Sequence, residues 1–323
     1  MKSVNRSSES EKRIVVLGAG ESGTGAAILA KAKGMEVFVS DMGAISPVYQ
    51  ALLDQHQIAW ESGKHTPELI LNADEVIKSP GIPLTAPLVK QLSEQGTPIL
   101  SEIEFAARYT QAKMICITGS NGKTTTTNII RTVLRKAGNK VGLIGTINIM
   151  IEDEAVEAHN TTPDVVDLQK ALFAMKNAGC DYVVMEVSSH ALVLNRVAGC
   201  EYDCAVLSNI TQDHLDFHKT LENYRDAKSL LFEGLANGVK ENKNAVFNMD
   251  DASSEIIKAR TKVNCLTYGK EHTNDIYPIS FNVQAKEMQL KLATPVGEMD
   301  LNLKITGEFN VYNVMSAVAC LLA

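Results

Sequence analysis

The sequence predicts an α/β protein of two domains, each a parallel sheet with helices on its faces, with a small antiparallel β element near the end. Three observations predict it. The chain has 323 residues, a length that favours two domains over one. Apolar strand-like runs alternate with helix-like runs, the rhythm of βαβ units. Two different glycine-rich turns, at 18–23 and 118–125, each follow an apolar strand and open a helix.

The first domain is read over residues 13–110. Residues 13–17 form an apolar strand, 22–33 a helix that Gly34 ends, and 35–40 the next strand. Further strands are read at 75–78, running into Ser79-Pro-Gly-Ile82, and at 97–100. The second domain covers 111–323. It opens with a strand at 113–118, a helix at 124–137 and a strand at 140–144. Strands follow at 181–187, 203–208, 244–248 and 263–268, with an apolar-faced helix at 224–235. Residues 281–305 alternate apolar and polar around Pro295-Val-Gly297, as a hairpin does. An apolar helix begins near Asn310, and its stop at Ala323 without a polar tail or cap is read as a truncation.

Hydrophobic residues make up 45% and charged residues 21%, and the net charge is −7. These are globular values, and the charge excludes a nucleic-acid binder that works through bulk positive charge. A phosphate ligand stays open, because local amides and one or two cations suffice to hold it. The six cysteines, at 116, 180, 200, 204, 265 and 320, form no CxxC pair. They are read as buried thiols in a reducing compartment. Residues 1–12 are polar, read as a disordered tail, and lack the apolar segment of a signal peptide. No run reaches the roughly 18 apolar residues of a spanning helix. The expectation is a cytoplasmic monomer with no nucleic-acid partner and no membrane insertion.

The turn Gly18-Ala-Gly20-Glu-Ser-Gly23 lets a phosphate approach the backbone at a helix N-terminus. Asp41 closes the second strand, where an acid accepts hydrogen bonds from a ribose or a base. A dinucleotide-binding dehydrogenase is one reading; glycines serving only strand–helix packing is another. The second turn, Thr118-Gly-Ser-Asn-Gly-Lys-Thr-Thr125, has two residues between its glycines where the wider phosphate-loop pattern has four. Its amides would surround phosphates, Lys123 would bring a cation, and the Thr124 or Thr125 hydroxyl would reach Mg²⁺. A hydride-transfer site has no place for such a loop.

Glu186, at a strand end, is placed to hold Mg²⁺ opposite that loop; the bland reading is an exposed acid. The run Asn209-Ile-Thr-Gln-Asp-His-Leu-Asp-Phe-His218 offers His214 and His218, but no further Cys or His at structural-zinc spacing. One imidazole on Mg²⁺ suits it better. Lys228, by residue type alone, is an exposed lysine. Buried, it would lose its proton readily and could take up CO₂ as a carbamate, an acidic metal ligand.

These motifs resemble the Mur ligase family of cell-wall synthesis, over residues 13–323. TGSNGKTTTT, NTTPD at 160–164, MEVSSHAL at 185–192, TQDHLDFH at 211–218, Tyr224-x3-Lys228 and Gly307-Glu-Phe-Asn-Val-Tyr-Asn313 carry the likeness. Within the family, the centre is similar to the MurE type, which adds the third residue of the stem peptide. The first domain is similar to the MurD type, which adds D-glutamate, so the chain reads as a mosaic.

The resemblance implies a Rossmann-like domain for the UDP-sugar and a P-loop ATPase-type central domain. It also implies ATP-driven amide formation through an acyl phosphate, joining a free amino acid to a UDP-N-acetylmuramoyl-peptide, with ATP and Mg²⁺. It implies Lys123, Glu186, His214 and Lys228 as catalytic, with Thr124, Glu186, His214 and carbamylated Lys228 at magnesium. Gly119, Asn121, Gly122, Lys123, Thr124, Thr125, Asn310 and Asn313 would contact ATP. Gly18, Gly23, Asp41, Thr161, Thr162, Ser188 and Arg196 would contact the UDP substrate. The family's third, amino-acid-binding domain has no counterpart in these residues, so weak or no ligase turnover is expected. Folylpolyglutamate synthase and a non-catalytic UDP-sugar or ATP binder are the rivals.

Overall fold

A computed structural model describes residues 12–79, 81–107, 112–158, 160–237 and 240–323. The polar tail and the Pro80 position of Ser79–Ile82 lie outside these residues, the tail except for its last residue. The chain folds as two compact units, Met1–Tyr109 and Thr110–Ala323. Among the described residues no helix is long and apolar enough to cross a membrane.

The first unit holds five strands: β1 (Arg13–Leu17), β2 (Glu36–Asp41), β3 (Ala59–Ser62), β4 (Glu75–Lys78) and β5 (Ile99–Leu100). They lie in the order β3-β2-β1-β4-β5, every pair parallel. Residues 14–17 are buried on both faces, which is why the strand reads as an unbroken Ile-Val-Val-Leu run. The strand order reverses beside β1, so the crevice beyond β1, where ligands enter such sheets, is lined by the first glycine-rich turn.

In the second unit, β6 (Lys113–Thr118), β7 (Val141–Ile144), β8 (Asn148–Ile151), β9 (Glu154–Glu157), β10 (Tyr182–Glu186), β11 (Cys204–Leu207), β12 (Asn244–Asn248) and β13 (Asn264–Tyr268) make one sheet. Their order is β13-β12-β11-β6-β10-β7-β8-β9. The six strands from β13 to β7 are parallel. The β8–β9 hairpin extends one edge antiparallel; its short, half-exposed strands carry too weak a pattern to be read from sequence.

The helix Lys123–Lys136 buries Thr126, Thr127, Ile130, Arg131 and Leu134, the i, i+4, i+8 stripe of a sheet-facing helix. A separate antiparallel sheet, β14 (Tyr277–Val283), β15 (Met288–Thr294) and β16 (Gly297–Leu303), follows. The expected hairpin is β15–β16, turning just before Gly297. Of the third strand, β14, the alternating run from 281 catches only the last three residues, because the strand is mostly exposed and its first residues lack the alternation of a half-buried strand.

Candidate functional site in the second unit

Beside β6 the strand order reverses, with β10 on one side and β11 on the other. Three segments therefore meet at their carboxyl ends: the loop after β6, Glu186 ending β10, and Ser208–Asn209 after β11. This is the crevice where open parallel sheets bind ligands.

The loop is pinned along its length. Ser208 Oγ donates to Asn121 O at 2.6 Å. Asn121 N–H donates to Asn209 Oδ1 at 3.0 Å, and Ser120 N–H to Asn209 O at 2.8 Å. Gly119 and Gly122 have positive φ, +149° and +85°. A Cβ on Gly119 would lie 1.9 Å from Ser208 Oγ, and one on Gly122 would lie 2.3 Å from Asn313 Oδ1. Only glycine fits either place, and the helix Lys123–Lys136 starts at once with its free N–H groups facing the loop.

Two ammonium groups converge on one carbonyl. Lys123 Nζ donates to Gly119 O at 2.9 Å and Ser120 O at 3.1 Å. Lys228 Nζ donates to Gly119 O at 3.1 Å and lies 4.6 Å from the centre of the Tyr224 ring. Lys228 is 1% exposed, which corrects the reading of an exposed lysine. The helix Leu221–Gly234 turns Tyr224, Ala227, Lys228, Leu231 and Phe232 inwards. Burial, and secondarily the charge of Lys123, hold the Lys228 ammonium well below its usual range. Burial also lowers Lys123, opposed by Glu186 and Asp213.

Glu186 is 1% exposed, which replaces the exposed-acid reading. It accepts from Thr146 N–H at 3.1 Å and from the Thr146 hydroxyl at 2.9 Å. Around the same strand end, Thr162 Oγ1 donates to Glu186 O at 2.9 Å and accepts from Ser188 N–H at 3.0 Å. Arg196 donates to Thr162 O at 3.4 Å and pairs with Asp164 at 3.1 Å. Thr161 lies 3.1 Å from Thr146. The predicted set Thr161, Thr162, Ser188, Arg196 and Glu186 is thus one hydrogen-bonded neighbourhood.

His214 is half-exposed, with φ +53°. Its ring lies 4.9 Å from that of His190 and 6.2 Å from that of Tyr224. His218 is buried and hydrogen-bonds Ser189 Oγ at 2.8 Å through Nε2, so it is a packed histidine. Burial lowers the pKa of both His190 and His218. Among the described residues no three His, Cys, Asp or Glu groups are placed to share a metal ion.

Asn310 and Asn313 are buried at the start of the helix Phe309–Leu322. Asn313 Nδ2 donates to Asn310 Oδ1 at 2.8 Å, and Asn310 Nδ2 to Thr306 O at 2.7 Å. That chain of amides aims Asn313 Oδ1 at Gly122. Thr124 and Thr125 lie in the first turn after the loop, half-buried.

In the first unit, Gly18 has φ +99°, and a Cβ on Gly23 would lie 2.0 Å from Gly18 O. Asp41 accepts Ala19 N–H at 2.7 Å and Gly43 N–H at 2.8 Å. Gly18, Gly23 and Asp41 therefore form one turn.

Sequence reasoning missed Thr146 and Ser208, and it quoted Asn209 and Tyr224 within motifs without giving either a role. Ser208 and Asn209 directly follow β11 at the strand's carboxyl end, a position that could have flagged them. Thr146 lies in Gly145-Thr-Ile147, a run that itself resembles the MurE type, and only that resemblance could have flagged it. All six cysteines are free, though Cys200 and Cys265 are only partly buried.

Residues 117–321 match the Mur ligase middle domain, and residues 12–101 match the Mur ligase MurD-like N-terminal domain. The UDP-N-acetylmuramoylalanine–D-glutamate ligase of Bacteroides thetaiotaomicron is 44% identical over 320 residues, covering 95% of this chain and 63% of that protein. The UDP-N-acetylmuramoyl-L-alanyl-D-glutamate–2,6-diaminopimelate ligase of Geobacillus thermodenitrificans is 45% identical over 233 residues, covering 72% and 48%. A solved structure of such a diaminopimelate ligase superposes with a TM-score of 0.60 at 25% identity, over 88% of this chain and 56% of that one. MurF from Acinetobacter baumannii shares the fold, with a TM-score of 0.56 at 19% identity over 97% and 57%. The chain spans 63% or less of the length of these relatives.

Proposed function

On the premise that this chain belongs to the Mur ligase family, we propose that it binds ATP and a UDP-N-acetylmuramoyl-peptide as part of an ATP-dependent, MurE-type amide ligase. The observation that carries this reading is the pair Lys123 and Lys228 on one loop carbonyl, with the Glu186 carboxylate at the neighbouring strand end. Lys123 brings a positive charge to the loop that a polyphosphate would engage, while burial holds the neighbouring Lys228 towards its neutral form.

The residues fit magnesium as well. Glu186, Thr124 and His214 offer donors compatible with a hard cation, and the readily neutralised Lys228 amine is competent to take up CO₂ and add a carbamate. A bound magnesium ion would supply positive charge to the phosphate oxygens. The chain's own part is to cradle the phosphates on the 119–125 amides and to neutralise them with Lys123. Asn121, Gly122, Thr125, Asn310 and Asn313 complete the ATP surface. Thr161, Thr162, Ser188 and Arg196 would orient the muramoyl peptide, whose carboxylate attacks the γ-phosphate to give an acyl phosphate. The incoming amino group then displaces phosphate. Gly18, Gly23 and Asp41 would take the UDP.

A MurD-type reading is the alternative, favoured by the 44% identity that runs through both units. Calorimetric titration separates the two. Tighter binding of UDP-N-acetylmuramoyl-L-alanyl-D-glutamate than of UDP-N-acetylmuramoyl-L-alanine supports the MurE type, and the reverse order the MurD type. Failure to bind ATP or either sugar nucleotide sinks the ligase reading.

A further inference from the structure

We propose that Thr146 is a positioning residue: it clamps the Glu186 carboxylate at both oxygens and so sets where that carboxylate meets a cation. The inference rests on reading Glu186 as the acid that faces magnesium.

Two independent observations support it. Thr146 gives Glu186 both of its donors, the backbone N–H to Oε1 at 3.1 Å and the hydroxyl to Oε2 at 2.9 Å. Gly145 supplies the room: a Cβ there would lie 2.6 Å from Glu186 Oε1. The Gly-Thr pair after β7 therefore forms a socket, glycine for clearance and threonine for grip. Glu186 is buried while Thr146 is exposed, so the threonine covers the outer side of the carboxylate. A carboxylate held by two donors has one orientation, and a group that orients a metal ligand tunes the metal's affinity. The Thr146 hydroxyl also lies 3.1 Å from the Thr161 hydroxyl, so the socket reaches Thr161 as well.

The test measures Mn²⁺ affinity in the presence of ADP, by electron paramagnetic resonance, for the 323-residue chain and its variants. Thr146→Val keeps the volume and loses the hydroxyl; affinity should fall about ten-fold. Thr146→Ser keeps the hydroxyl and should stay within about two-fold of the parent. Gly145→Ala, which crowds the same oxygen, should weaken Mn²⁺ as Thr146→Val does. In a Glu186→Gln background, Thr146→Val should change nothing further, which a general loss of folding would not reproduce. If Glu186→Gln weakens Mn²⁺ but Thr146→Val and Gly145→Ala do not, the socket is refuted and the ligase reading stands. If Glu186→Gln binds Mn²⁺ as tightly as the parent, the reading beneath it fails instead.

Discussion

The two glycine-rich turns follow strands, open helices and look alike in sequence, yet their surroundings differ in charge. The first turn is held by carboxylates: Asp41 takes Ala19 N–H, and Glu102 takes the Ser22 hydroxyl at 3.2 Å. The second is held by neutral hydroxyls and amides, and two lysines press on its Gly119 carbonyl. A glycine pattern reports only that the backbone turns tightly. The charge around it separates a loop supplied with cations for a polyphosphate from one supplied with acids, which suit the hydroxyl groups of a nucleotide's ribose.

The sharpest way to break this contrast is Lys123→Ala. ATP affinity should drop about 10- to 100-fold, since a charged hydrogen bond to the phosphates is lost. Unchanged affinity by calorimetry would mean that the second loop gathers phosphate without its cation.

Next in size is a pair of glycine substitutions. Gly119→Ala places a Cβ into Ser208 at a positive φ and should cost about 3 kcal/mol in urea unfolding. Gly20→Ala meets no atom within 4 Å and should cost less than about 1 kcal/mol.

Lys228 adds a pH signature that the first turn lacks. Its folded pKa lies well below that of the unfolded chain, so the unfolded state binds more protons between the two values. Stability contributed by this group therefore rises with pH across that window, up to about 10.5. Lys228→Met should melt higher than the parent at pH 7 and flatten that rise. A variant that melts lower would show that the lysine already has a stabilising partner. Smallest of all, Asp41→Asn should cost about 1 kcal/mol by weakening one backbone contact, with ATP affinity unchanged by calorimetry.

Much of the site was legible where it is local. Lys123 and the glycines lie within one short segment, and β1, β4, β6 and β12 follow from apolar runs whose ends match the observed strands. The β8–β9 hairpin and most of β14 were not legible, because exposed strands carry no periodic apolar signal. Lys228 misled residue-type reasoning because its helix has apolar neighbours on both sides of it, and lysines on such helices usually reach water.

By itself, the sequence determined the two α/β units, the two tight turns and the order in which the chemical groups arrive. Those depend on backbone sterics and short-range periodicity, which neighbouring residues settle. Tertiary structure alone decided that Lys228 meets Thr118 across 110 positions, that Thr146 grips Glu186 across 40 and that Asn313 faces Gly122. The Thr146 contact exists because β7 lies beside β10, and the Lys228 contact because β11 lies beside β6; strand order is set by packing helices onto both faces of the sheet, a balance that no single stretch of chain encodes.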